Sequence, residues 1–381
     1  MRKSFKKAAA IVLTAAMALS MTACGGKAAE ETKAEAGSEA AEPAADGETK
    51  AAENAGNGEK LKMTLCIGRK NDLSFQQSAY EGAMRVQEEM GDDTTKWQAA
   101  FYDAADSGAD IIVGTGFQNK ENFETIPLEY PDTKFILFDQ DVDYSSGDLG
   151  NVLTVLFDSN QSGFLAGAVA AYYTTGENAA NTDKTIGFVG GTESTTVNNF
   201  LVGYAEGAKY VDPETKILTA YVGDFMDTAK AKDLANAQIS EGADIVFQVA
   251  GGAGNGVIEA AAEKDGVMAI GVDSDQYRTL EGSNLQASVI TSSLKLLDNA
   301  LFKICSDYVE DPSKVPFGTT VTYGLKDNAV GIVFNENLTK SIGEENVAKV
   351  KEILGKIQSG EITVSDAAEL TADQIKEIVN N

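Results

Sequence analysis

The sequence contains no histidine. That absence removes Ser-His-Asp triads, Cys-His pairs, histidine general bases and every His-containing zinc site. Three cysteines, Cys24, Cys66 and Cys305, are too few for a four-thiolate metal site or a disulfide framework. Positive charge is also scarce: 31 Lys and Arg stand against 58 Asp and Glu, a net charge of −27. Nucleic-acid binding is not expected, because phosphate contacts require clustered Lys and Arg. What remains is a chain of 381 residues, 43% hydrophobic, long enough for about two domains.

The first sixty residues read as an address and a tether. Arg2, Lys3, Lys6 and Lys7 precede an apolar stretch from Ala8 to Met21. That stretch is too short to span about 30 Å of hydrocarbon but suits a signal-peptide core. It ends Met21-Thr22-Ala23-Cys24-Gly25, small residues before a cysteine, which resembles a bacterial lipoprotein cleavage site. Cleavage before Cys24 and lipidation of its thiol are expected; an ordinary secretory signal with an incidental cysteine is the alternative. Gly25 to Lys60 has no Leu, Ile, Val or aromatic residue and cannot bury enough apolar area to offset its ordering entropy. A disordered tether at the extracytoplasmic face follows.

From Leu61 onward, strands alternate with helices, the pattern of a parallel α/β sheet. Residues 62–68 read as a buried strand, and residues 74–90 carry Phe75, Ala79, Ala83 and Val86 at helical spacing. Strands follow at 111–114 and 135–139. The second half repeats the first. Ser107-Gly-Ala-Asp-Ile-Ile112 matches Glu241-Gly-Ala-Asp-Ile-Val246, and Asp139-Gln-Asp141 matches Asp273-Ser-Asp275, both at an offset of 134. Tyr80-Glu-Gly-Ala83 echoes Ala205-Glu-Gly-Ala208. Two such halves make two lobes with a cleft between the carboxyl ends of their strands. Asp72, Phe117, Asp139, Gly251 and Asp273 all fall just after strands and are candidates to line it.

Several motifs admit two readings. Gly251-Gly-Ala-Gly-Asn-Gly256 looks like a dinucleotide turn, but the third glycine position holds Val257. A tight strand-to-helix turn near a ligand is the better reading. Residues 139–148 have acids at calcium-loop positions 1, 3 and 5, but Tyr144 stands where glycine is required and Gly150 where glutamate is required. A solvated hinge-side loop is expected instead. Cys66 and Cys305 read as buried thiols or as a bridged pair. Asp273, at a strand end, can accept two hydrogen bonds from a vicinal diol such as ribose. Both Asp273 and Asp275 can alternatively cap the next turn. Lys295 is either a cleft ammonium partnering Asp273 or a surface lysine.

Asn71-Asp-Leu-Ser-Phe75, Gly203-Tyr-Ala-Glu-Gly-Ala208, Tyr221-Val-Gly-Asp-Phe225, the 250–256 turn and Ala269-Ile-Gly-Val-Asp-Ser-Asp-Gln276 together resemble the basic membrane lipoprotein family of ABC-importer substrate-binding proteins. The resemblance implies a type I periplasmic-binding fold: two Rossmann-like lobes with parallel sheets, a ligand cleft between them, and crossings near 157, 288 and 328. The implied organisation is a signal peptide over 1–23, a lipid anchor and tether over 24–60, one lobe from 61–157 with 288–328, and another from 158–287 with 329–381.

The resemblance also implies roles. Asn71 and Asp72 meet the base edge, Tyr80 and Phe225 stack on the base, Gly251 lies against the ligand, and Asp273 and Lys295 contact the sugar. Gln76 departs from the asparagine frequent in the family, and Tyr80 from the commoner phenylalanine. A monomeric, cofactor-free receptor is expected, binding a purine nucleoside and partnered by permease and ATPase subunits. Riboflavin or another ribosyl or polyol ligand is the alternative cargo. A nucleoside hydrolase using Asp273 and Asp275 as paired acids is the competing enzyme reading.

Overall fold

The computed structural model describes residues 63–65 and 94–380. Cys24, the tether, Cys66, Asn71, Asp72, Tyr80 and the helix expected over 74–90 lie outside the described residues. The first sheet is parallel. Its spatial order is β1 (Met63–Leu65), β2 (Ile111–Thr115), β3 (Lys134–Phe138), β4 (Val152–Phe157) and β10 (Thr319–Tyr323). The second sheet contains β5 (Thr185–Gly190), β6 (Lys216–Tyr221), β7 (Ala243–Val249), β8 (Met268–Asp273), β9 (Val289–Lys295) and β11 (Val330–Ile332), in the order β11-β9-β8-β7-β5-β6. Among the described strands, only β11 runs antiparallel to its neighbour. Strands covered on both faces need apolar residues throughout rather than alternation. Accordingly, β2, β5 and β7 are buried along their whole lengths.

The connecting helices are α1 (Thr94–Asp106), α2 (Lys120–Glu129), α3 (Ser159–Thr174), α4 (Thr195–Val211), α5 (Thr228–Ser240), α6 (Asn255–Ala262), α7 (Gln276–Thr279) and α8 (Leu297–Glu310). Then come α9 (Glu336–Ser359), kinked at Gly343, and α10 (Ala372–Asn380). Ser194, Asp227 and Asn335 cap α4, α5 and α9 by accepting backbone N–H bonds, as N-cap residues do. Helices α3 and α4 pack backbone to backbone. Gly163 and Gly167 lie against the backbone of Phe200 and Tyr204, and Gly203 and Gly207 against that of Asn160 and Phe164. A Cβ at any of the four would run into a carbonyl oxygen of the facing helix. Among the described residues, no helix is long and apolar enough to cross a membrane.

Among the described residues, the chain passes between the sheets three times. It leaves the first sheet after Phe157, where Asp158 N–H still bonds to Tyr323 O at 2.9 Å. The second passage departs from the one expected near 288. Strand β9 pairs with β8 from Val289 to Leu294, so the chain leaves the second sheet only after Lys295. The third passage occupies 324–329, between β10 and β11.

Candidate binding cleft

In parallel sheets, the loops that meet a ligand leave the carboxyl ends of the strands. Asp139 follows β3 of the first sheet, while Asp273 ends β8 and Lys295 ends β9 of the second. These three side chains converge. Lys295 Nζ donates to Asp139 Oδ2 at 2.8 Å, and Asp273 Oδ1 lies 3.8 Å from the same nitrogen. Lys295 is 2% exposed, so it is not a surface lysine. Its nearer carboxylate is Asp139, from the other lobe, whereas the sequence pointed to Asp273. Burial alone would lower the ammonium pKa, but the two carboxylates outweigh it and hold the pKa above the usual lysine value. Phe157 and Phe200 present their ring faces to Nζ, with centroids 5.9 and 5.2 Å away.

Both acids occupy left-handed backbone, with φ of 65° at Asp139 and 63° at Asp273. Aspartate tolerates that region better than most side chains, though less readily than glycine. The Asp273 turn is held from below by buried glutamines. Gln276 Oε1 accepts from Val272 N–H at 3.0 Å and from Gln248 Nε2 at 2.6 Å, while Gln276 N–H donates to Ser292 Oγ. Sequence reasoning missed Gln248, Gln276, Phe157 and Phe200. A glutamine inside the apolar strand 243–249 was the available signal for the first, because a buried amide must find partners.

Phe225 sits in the loop after β6, and its ring covers the backbone of Gly191. Any side chain at 191 would occupy the place of that ring. Asp224 Oδ1 accepts from Met226 and Asp227 N–H, and Phe225 O accepts from Ala253 N–H at 2.9 Å. The aromatic loop is thereby tied to the glycine-rich turn. That turn, Gly251–Gly254, is a short 3-10 segment entering α6. Gly251 has φ 55°, and a Cβ on Gly254 would collide with the Gln248 amide. The glycines thus have a packing reason that needs no dinucleotide. Phe117, after β2, is 59% exposed.

Asp275 caps α7, with Oδ1 accepting from Arg278 N–H at 3.1 Å. That bond commits one of its oxygens and works against a paired acid–base role. In the 139–150 loop, Asp143 Oδ1 instead accepts from Ser145 N–H and Oγ, a local Asx turn. Cys305 is half-buried on α8, and burial raises its thiol pKa. A cavity of about 380 Å³ opens on the hinge side of Asp273, bordered by Ser274, Asp275, Leu296, Ile332 and Phe334. Phe225 and Gly251 do not line it. Its size is within the range of small-molecule sites.

The arrangement offers two carboxylates and one ammonium where strand ends of the two sheets meet. It suits reversible capture of a polar, partly planar molecule. The chain is 33% identical over 318 residues to the "ABC transporter nucleoside-binding protein BmpA" of Lactococcus lactis, covering 77% of this chain and 85% of that protein. It is 32% identical over 328 residues to "Basic membrane protein A" of Borreliella burgdorferi, covering 84% and 91%. Among solved structures, an ABC transporter solute-binding protein from Aeropyrum pernix aligns with a TM-score of 0.67 at 25% identity, over 84% of this chain and 96% of that one. Another, from Conexibacter woesei, aligns at 0.65 and 22% identity, over 81% and 99%. The family described as "ABC transporter substrate-binding protein PnrA-like" matches residues 60–368, and the chain belongs to that family.

Proposed function

We propose that this ABC transporter substrate-binding protein is a lipid-anchored receptor for a purine ribonucleoside. The observation that carries the reading is the set Asp139, Lys295 and Asp273. A carboxylate fixed in left-handed backbone by a glutamine brace, with an ammonium beside it, matches a ribose diol: the acid accepts from two hydroxyls and the ammonium donates to one. Charge-assisted bonds of this kind are about twice as strong as neutral ones. Phe225, packed against Gly191, supplies an aromatic ring for stacking, and base stacking contributes about 1–3 kcal/mol. The family resemblance adds Asn71 and Asp72 at the base edge and Tyr80 as the opposing aromatic. Asp139 and Lys295 come from different lobes, so a ligand that touches both favours the closed arrangement over the open one. No bond is made or broken. The closed form is what a permease would read.

Thermal unfolding of residues 25–381 with nucleosides, free bases, ribose and riboflavin tests this. A ligand at 100 times its dissociation constant adds about 2.7 kcal/mol. Stabilisation by guanosine, inosine or adenosine, without stabilisation by bases or ribose, is the expected result. Stabilisation by riboflavin alone would keep the receptor role and overturn the nucleoside. The anchor has its own test: Cys24→Ala is expected to release the protein from the membrane into the medium.

A further inference from the structure

Three neighbouring strands of the second sheet, β7, β8 and β9, lead into the glycine-rich turn, Asp273 and Lys295. One chain of buried side-chain bonds links the three. Gln248, near the end of β7, and Gln276, at the start of α7, are both almost completely buried. Gln248 Oε1 accepts from Ala250 N–H at 3.1 Å, just before the glycine-rich turn. Gln248 Nε2 donates to Gln276 Oε1 at 2.6 Å. Gln276 Oε1 also accepts from Val272 N–H at 3.0 Å, one residue before Asp273. Gln276 N–H donates to Ser292 Oγ at 3.1 Å, on the strand that ends in Lys295. The chain of bonds therefore runs from the glycine-rich turn through the Asp273 turn to β9. Two glycines leave room for it. A Cβ on Gly254 would strike the Gln248 amide, and a Cβ on Gly271 would strike Gln276 and Ser292.

The donors fix which way each amide points. A backbone N–H only donates, so Gln248 turns its oxygen to Ala250 and its NH2 to Gln276. Gln276 Oε1 then accepts from two donors, which uses both its lone pairs. A buried chain with every member paired is rigid, and breaking one link leaves the others unpaired. Resting on the nucleoside reading, we infer that Gln248 is a positioning residue for the sugar: through Gln276 it holds the Asp273 carboxylate in register with the glycine-rich turn, so the two ligand-facing turns act as one unit. The NH2 of Gln248 is the link that can be switched. Glutamate has nearly the same shape, but its carboxylate has no donor and would face the acceptor Gln276 Oε1. Once protonated, it regains an O–H donor while its other oxygen still accepts from Ala250 N–H. Burial favours that neutral form. Gln248→Glu is therefore competent at low pH and impaired at high pH, a pattern that lost packing does not produce.

Calorimetric titration at about pH 5.5 and about pH 9 tests the inference on wild type, Gln248→Glu and Gln248→Met, with circular dichroism as the fold control. The probes are guanosine, inosine and adenosine, and the 2′-deoxy form of whichever binds most tightly. Relative to wild type at the same pH, Gln248→Glu is expected to bind the ribonucleoside about tenfold or more weakly at the higher pH and within about threefold at the lower. Gln248→Met, which does not titrate, is expected to lose about tenfold at both. In each case the 2′-deoxy form is affected less, because the brace ends at the sugar acid. Asp139, Asp273, Asp275 and Lys295, the titratable groups at these strand ends, are common to all three proteins, so the ratio to wild type isolates the new carboxyl. If Gln248→Glu is unfolded at the higher pH, the narrowed ribose preference of Gln248→Met decides. A ratio for folded Gln248→Glu that does not change with pH, or equal losses for ribo- and deoxynucleosides, would overturn the brace and leave the nucleoside reading standing. If wild type binds none of the three nucleosides, both fall.

Discussion

Asp139 and Asp273, 134 positions apart in equivalent halves of the chain, adopt the same left-handed backbone and place both carboxylates around the one ammonium of Lys295. A sequence repeat has become a spatial one. Each lobe contributes the same acid from the same kind of strand end, and a single buried cation joins them.

Removing that cation should be costly twice over. Lys295→Met leaves two largely buried carboxylates facing each other, and deleting one partner of a buried pair costs about 3–5 kcal/mol. Chemical denaturation should show a loss of that order, and nucleoside affinity should fall at least a hundredfold. An unchanged unfolding midpoint would show that the pair is not a structural link.

The charge of Asp273 can be separated from its backbone role. Asparagine tolerates left-handed φ as well as aspartate does, so Asp273→Asn keeps the turn while removing the anion. Stability is expected to change by less than about 1 kcal/mol, since substitutions that add no strain or cavity have small effects. Affinity for ribonucleosides should fall by about tenfold or more, with deoxynucleosides affected less. Equal losses for both would place the carboxylate away from the sugar hydroxyls.

Gly191 is a lever on the aromatic face. A methyl at this position would meet the Phe225 ring. Gly191→Ala should displace the ring and lower affinity about tenfold, while the fold survives because the ring lies at the cleft surface. Tryptophan-free detection by calorimetry, with circular dichroism as the fold control, would read both.

The core holds a pH-sensitive carboxyl far from the cleft. Asp244 at the start of β7 is fully buried, with Oδ2 accepting from Thr174 Oγ1 at 3.1 Å. Burial raises its pKa from 3.8 to about 7, against the lowering effect of the Thr174 bond; Asp183 adds to the rise. The folded state thus holds this proton more tightly than the unfolded chain does. The stability it contributes is complete below about pH 3.8 and is lost as pH rises through about 7. Asp244→Asn should therefore stabilise the protein above pH 7 by about 2–4 kcal/mol relative to wild type and flatten the dependence between pH 4 and 7. Parallel pH profiles of the two proteins would show no divergence across that window if the carboxyl were not buried ionisable weight.

Much of the molecule was legible without coordinates. Short apolar runs at 111–114 and 135–139, alternating with helical segments, read as buried parallel strands, and the 134-residue repeat pointed to two lobes and paired Asp139 with Asp273. The motifs from 203 to 276 carried the family. These are local patterns, written in neighbouring residues, and burial or backbone geometry enforces them one element at a time. Tertiary structure decided the rest. That Lys295 binds Asp139 across the lobes depends on how two sheets are set against each other, and that the chain leaves the second sheet after 295 rather than near 288 depends on the pairing of β9 with β8. The Lys295–Asp139 contact joins residues 156 positions apart. No local spacing encodes such a contact, because it exists only once both sheets have formed and the burial of Lys295 makes a carboxylate partner obligatory.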